Sequence, residues 1–270
     1  MPIVARPYTM RSYGGTDIGR RRSVNEDAYL CDDELGLWVV ADGMGGHAAG
    51  DKASAAVVGR LASLRADADH GYLDVDRLEG ALTAAADDID VFAAHIPIGA
   101  GTTVTGAVLA LKDGEPHFGV FNIGDSRVYL LMDGEFSRVT TDHSVVQEMV
   151  DAGLLNADDA ENHPDSNVIT RAVGFRDDPR PDVWMLPVRP GMRLLLCSDG
   201  LTKEVSDTHI KGLLAAGASA AVTADELMDA ALAAGGRDNV TVVVIDVAAA
   251  VAKPKRDPVT TGPSSGGTPS

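Results

Sequence analysis

The chain is short of cysteine and of positive charge, and it has no long apolar run. Its two cysteines, Cys31 and Cys197, lie far apart and form no CxxC pair. Neither a zinc knuckle nor a disulfide framework is indicated, and a reducing, cytoplasmic setting is expected. Only 23 Lys and Arg stand against 40 Asp and Glu, a formal charge of −17 over 270 residues. Such a surface excludes nucleic acid or an anionic membrane as the main partner. No stretch approaches the ~20 apolar residues of a membrane helix. The N-terminal MPIVARPYTMRSYGG has no apolar segment of signal-peptide length, so no membrane insertion is expected. There is no GxGxxG after a strand, no Walker lysine pattern and no DxDxDG loop closed by Glu. Nucleotide binding and an EF-hand calcium site are therefore unsupported.

What is present is an apolar content of 45%, enough to fill a real core. Five short strings, each against a hydrophobic run, also carry acidic residues. They are SVNEDAYL (23–30), WVVADGMGGH (38–47), FNIGDSRVYLL (121–131), LLLCSDGL (194–201) and GGRDNVTVVVI (235–245). A lone Asp-Gly pair is most often a turn. Five acidic strings at strand ends, however, bring their carboxylates into one cleft if the strands lie side by side. Like charges so close raise each other's pKa, and a divalent cation neutralises them. Oxygen ligands without a His and Cys cluster favour Mg²⁺ or Mn²⁺ over zinc.

Strand-like segments are Leu37–Ala41, Thr102–Leu111, His117–Ile123, Arg127–Met132, Arg193–Cys197 and Val240–Val247. The short turns KDGEP (112–116) and IGDS (123–126) suggest that those from Thr102 to Met132 form an antiparallel meander. Helical candidates are Ala48–Leu64, Val75–His95, Val145–Ala152, Asp207–Ala215 and Ala218–Ala234, with Thr223 and Glu226 as a capping box. Without regular βαβ alternation, the pattern predicts an α+β layered domain over residues 1–249. The polar stretch 144–166 reads as a flap bordering the site. Residues 250–270, rich in Pro, Gly, Ser and Thr, read as a disordered tail or linker.

Together with GTTVTGAVL (101–109), TTDHSVVQEMVDAG (140–153) and NVITRAVG (167–174), the five strings resemble the metal-dependent serine/threonine protein phosphatases of the 2C type, the PPM family. The likeness is greatest to the short bacterial catalytic domains and covers about residues 12–247. It implies a four-layer α/β/β/α sandwich whose two central antiparallel sheets carry metals at one end. It also implies hydrolysis of phosphoserine and phosphothreonine by a hydroxide held between two Mn²⁺ or Mg²⁺ ions. Residue by residue, Asp42 matches the carboxylate that bridges both ions and Gly43 the residue that gives a backbone carbonyl. Asp199 and Asp238 match carboxylates of the first ion. Glu26 and Asp27 match acidic residues around the second, and Asp125 a third, weaker site shared with Asp199. Arg22 matches the phosphate-binding arginine, whose guanidinium grips two oxygens at once.

The proton donor is less direct. Many eukaryotic relatives carry a His two residues after the bridging Asp, where this chain has Met44. His47, three residues on, stands as the candidate general acid, with a metal-bound water as the alternative. Cys197 is followed by SDGLTK and lacks an Arg six positions on, so no cysteine nucleophile is indicated and a buried structural role is expected. The resemblance implies phosphorylated proteins as partners, among them a bacterial serine/threonine kinase and its substrates, and a monomer. The rivals are a regulatory phosphatase of the same superfamily and a catalytically dead scaffold. The intact DHS and ITRAVG segments disfavour the first, and acidic residues kept in all five strings disfavour the second.

Overall fold

The computed structural model describes residues 7–45, 49–64, 72–160, 163–175 and 179–250. The tail beyond Ala250 and the candidate acid His47 lie outside the described residues. The chain runs β1 (Tyr8–Asp17), β2 (Asp27–Asp32), β3 (Leu37–Gly45), α1 (Gly50–Ser63), α2 (Asp76–Ala93), β4 (Ala100–Thr102), β5 (Val104–Lys112), β6 (Glu115–Ile123), β7 (Arg127–Met132) and β8 (Glu135–Arg138). There follow α3 (Val145–Asp151), α4 (Ala157–Ala160), β9 (Val173–Gly174), β10 (Asp182–Pro187), β11 (Arg193–Cys197), the single turn α5 (Asp199–Thr202), α6 (Asp207–Ala215), α7 (Ala220–Ala234) and β12 (Val240–Ala249).

One sheet has the order β1-β12-β11-β7-β8; the other has β10-β6-β5-β3-β4-β9, with β2 on β3. The central strands are apolar on both faces because both faces are covered, and their period of two sorts side chains between layers. In β3, Leu37 and Val39 pack under α1 and α2 with Val57, Leu61, Leu78, Leu82 and Ile89. Trp38 and Val40 point the other way, into the layer between the sheets, against Leu194, Leu196, Val243 and Ile245. Leu195, Cys197, Val242 and Val244 face α6 and α7 with Ile210, Leu214, Leu227 and Ala231. This is the expected α/β/β/α order. Fully burying one such aliphatic side chain contributes about 1.5–3 kcal/mol. Cys197 is free and buried in the third layer, as expected.

Local chemistry sets the ends of several elements. Asp113-Gly114 and Asp133-Gly134 take positive φ at both positions, as tight hairpin turns between twisted strands require. Ser144, Ser206 and Ser219 cap α3, α6 and α7 by accepting from Gln147, His209 and Val222 N–H groups. The capping box read at Thr223 is thus displaced: Ser219 caps the helix, and Thr223 is buried inside it. No described helix is long and apolar enough to cross a membrane.

Three departures from the sequence reading bear on the site. The segment read as one strand from Thr102 is broken at Thr103: it stays opposite Asp42 in the register of β3 and its N–H bonds the Asp42 carbonyl at 2.9 Å, but the Asp42 N–H goes to the Thr103 hydroxyl. The expected single meander is two hairpins: β5–β6 lies in one sheet and β7–β8 in the other. The IGDS turn is therefore the crossing between sheets, which places Asp125 at the mouth of the sandwich. Finally, Tyr8–Asp17 is a full strand paired along its length with β12. Its Gly14 and Gly15 hid it from propensity; a Cβ at Gly14 would press on the Tyr29 ring at 2.7 Å.

Candidate active site

The acidic strings converge at one end of the sandwich. Asp27 opens β2 and Asp42 lies directly across from it in β3. Asp125 sits between β6 and β7, Asp199 follows β11, and Asp238 precedes β12. Arg127, Cys197 and Val242, which are register neighbours, bring the last three loops to the same edge.

Electrostatics shows how near the carboxylates stand. Burial, then Asp27, Asp199, Asp125 and Asp238, hold the Asp42 carboxyl well above the usual carboxylate range. Burial pushes Asp27 up to about 7, aided by Asp199 and Asp238, although Thr241 and Ser198 donate to it. Burial and Asp199 likewise take Asp125 to about 7, while Lys203 pulls it down. Burial also raises Glu26. Among the described residues, no group of three Asp, Glu, His or Cys side chains has the close geometry of a formed metal cage. The two findings agree physically: repelling carboxylates splay toward whatever donors and cations they can reach. Asp238 Oδ2 takes Arg22 Nη2 at 2.7 Å, and Asp199 Oδ2 takes Lys203 Nζ.

The residues fit a divalent cation on two structural grounds. Asp27 Oδ1 and Asp199 Oδ1 are buried acceptors without a hydrogen-bond partner, a costly arrangement that a cation relieves. Gly43 and Gly50 leave a backbone cradle beside them: a Cβ on Gly43 would collide with the carbonyl oxygens of Gly50 and Glu26. The donors are all oxygen, which suits Mg²⁺ or Mn²⁺.

A set of neutral side chains positions these carboxylates. Asp27 Oδ2 accepts from Ser198 Oγ at 2.9 Å and Thr241 Oγ1 at 2.6 Å. Asp42 is fixed through its backbone: its N–H donates to Thr103 Oγ1 at 3.1 Å and its carbonyl accepts from Thr102 Oγ1 at 2.9 Å. Asn239 spends its whole amide on the entry loop, donating to Ile18 and Val24 carbonyls and accepting from Glu26 N–H at 2.8 Å. These three bonds tie the entry loop to the start of β12. The Asp125 loop is clamped from behind. Gly124 donates to His143 Nδ1 at 3.0 Å and accepts from the His143 N–H at 2.9 Å, while Arg127 grips Asp142.

Of the residues singled out from sequence, Glu26, Asp27, Asp42, Gly43, Asp125, Asp199, Asp238 and Arg22 therefore come together. Arg22 reaches the cluster from a loop with its side chain 49% exposed. Sequence reasoning missed Ser198, Thr241 and Lys203. The first two lie beside motif residues, and Lys203 lies four places after Asp199, a helical ion-pair spacing that was there to be seen.

Comparison with known proteins bears on this geometry. Residues 15–234 match the family described as Protein phosphatase 2C. The chain is 40% identical over 243 residues to the serine/threonine protein phosphatase PstP of Mycobacterium tuberculosis, an alignment covering 88% of this chain and 45% of the relative. It thus spans about half the length of that relative. It is 35% identical to the serine/threonine phosphatase Stp of Listeria welshimeri, covering 86% of this chain and 93% of that one. Among solved structures, the catalytic domain of PstP in complex with two manganese ions superposes with a TM-score of 0.78 at 38% identity, covering 89% and 99% of the two chains.

Proposed function

We infer that this chain, which belongs to the protein phosphatase 2C family, hydrolyses phosphoserine and phosphothreonine in proteins with the help of two Mn²⁺ or Mg²⁺ ions. The observation that carries the reading is the pair of buried, unpartnered carboxylate oxygens, Asp27 Oδ1 and Asp199 Oδ1, inside a cluster gathered from five separate segments. When bound, the ions supply a shared water of lowered pKa that attacks phosphorus directly, and they shield the phosphate oxygens. No protein nucleophile is then required, in keeping with the burial of Cys197.

The chain's own residues have distinct tasks. Asp42, held by Thr102 and Thr103, lies centrally enough to bridge both ions, with the Gly43 carbonyl beside it. Asp199 and Asp238 would hold the first ion, and Asp27 and Glu26 the second. Asp125 forms the outer edge with Asp199. Arg22 has the reach and exposure to leave Asp238 and grip the substrate phosphate through two parallel N–H bonds. His47, or else water, delivers the proton to the leaving alkoxide. The segment 144–166 begins at the His143 clamp and borders the cleft as a flap. Partners on this reading are phosphorylated proteins, including a bacterial serine/threonine kinase.

The test is hydrolysis of a phosphothreonine peptide by the purified chain with Mn²⁺, after chelation with EDTA, and by Asp199→Asn. Chelation and the substitution should each abolish turnover. Full activity in a metal-free preparation would overturn the mechanism, and an active Asp199→Asn would overturn the ligand assignment.

A further inference from the structure

Asp199 divides its two carboxylate oxygens. Oδ1 faces the buried cluster without a partner, and Oδ2 is held by the ammonium of Lys203. The placement of that lysine is set by the backbone. α5 is a single turn beginning at Asp199, Lys203 is the residue that closes it, and the Lys203 N–H bonds the Asp199 carbonyl at 2.9 Å. Its carbonyl is fixed in turn by Arg237 Nη2 at 3.2 Å, and Arg237 is also bound to the neighbouring Glu204. The side chain, 35% exposed against 14% for Asp199, closes the cluster on the solvent side. Its charge acts on Asp125 and Asp238 as well as on Asp199.

Arg22 contrasts with this arrangement. It sits on a loop far from its partner Asp238 in sequence, and it is free to swing toward a substrate. Lys203 sits one helical turn after its carboxylate, so the backbone keeps the ammonium within reach of it. A cation shared between Asp125 and Asp199 would meet the ammonium, which holds Asp199 Oδ2 and whose charge acts on both carboxylates. The two positive charges repel, and a divalent ion entering there competes with the lysine for the same carboxylates.

We propose that Lys203 is a built-in counter-cation of the Asp125–Asp199 edge and is the residue that keeps a further divalent ion from binding tightly there. The proposal rests on the reading of the cluster as a divalent-metal site, and it assigns this chain an affinity-determining residue that the acidic strings alone do not show.

The experiment counts Mn²⁺ bound to the full chain, from the free-ion signal in electron paramagnetic resonance at constant ionic strength. Wild type is compared with Lys203→Met, Lys203→Gln and Lys203→Arg, each checked for an unchanged circular dichroism spectrum. Wild type and Lys203→Arg should bind two ions tightly, with any third much weaker. Both neutral variants should bind the third ion about tenfold more tightly or better. Two tight ions in all four proteins, with no gain in the weak step, would overturn the proposal while leaving the two-ion site standing. Absence of tight Mn²⁺ binding by wild type would remove the premise, and the proposal with it.

Discussion

β11 and β12 run side by side for about 16 Å, and their two ends hold opposite kinds of polar chemistry. At one end Arg193 lies across from Asp246 in register. Its Nε and Nη2 grip both carboxylate oxygens at 2.6 and 2.9 Å, and its other N–H groups reach the Leu214 and Ala218 carbonyls and Thr223 Oγ1. One cation meets one anion, every donor is used, and the loop between α6 and α7 is fastened to the sheet. At the other end, just past Cys197 and just before Val240, carboxylates repel one another and two buried oxygens have no donor. The first arrangement holds the fold together. The second opposes folding and makes sense only as a place for something to bind. The same strands thus separate stability from function along their length.

The sharpest way to break that contrast is to substitute the centre of the cluster. Asp42→Asn should lower turnover on the order of 10³-fold. In the chelated protein the same change should raise unfolding stability by about 1 kcal/mol, because the folded chain no longer has to hold a buried carboxyl protonated among its like neighbours. Urea unfolding in EDTA checks this, and a loss of stability would mean that the cluster is a structural network after all. At the opposite end Arg193→Met should cost about 3 kcal/mol, since it leaves Asp246 without its partner. Manganese affinity should not move; a shift would show that the two ends are coupled.

The third effect is on pH. Asp27 and Asp125 titrate near 7 in the folded chain, against 3.8 for an unperturbed aspartate. The folded state therefore keeps protons that the unfolded chain has already released. Its stability is full below about pH 4 and declines as pH rises through 7 in the chelated protein. Urea midpoints in EDTA at pH 5 and pH 7.5 read this slope, and Mn²⁺ should flatten it, because the ion binds the deprotonated carboxylates. An increase in stability with pH in EDTA would contradict the assigned burial. The smallest effect is at the rim: Arg22→Ala should reduce kcat/KM for a phosphopeptide about tenfold, with Arg22→Lys recovering only part, since an ammonium cannot make two parallel bonds.

Much of this was legible before the fold was known, for identifiable reasons. Asp42, Asp199 and Asp238 announced themselves because each abuts a run of Val, Leu and Ile buried on both faces, and such runs mark central strands whose ends must meet. The runs and intervening helices pointed to a layered α+β domain, and the four-layer order came with the resemblance to the phosphatase family. Legibility failed where contacts distant in sequence decide the outcome. β1 carries two glycines and an exposed arginine, and it is a strand only because β12 offers ten consecutive pairing partners. The break at Thr103 depends on the Asp42 N–H, which turns to the Thr103 hydroxyl, and the crossing at Gly124 on the His143 ring; neither partner adjoins its target in the chain. Lys203 is marked in the sequence only by its spacing of four from Asp199, a helical ion-pair spacing that the acidic strings do not display.

The central claim is that the cluster holds two divalent ions about Asp42, and counting bound Mn²⁺ in wild type and in Asp42→Asn tests it most directly. Wild type should bind two ions tightly, and the variant should lose tight binding of both, because one carboxylate serves both positions. Two tight ions retained by Asp42→Asn, or no tight ion in wild type, would contradict it.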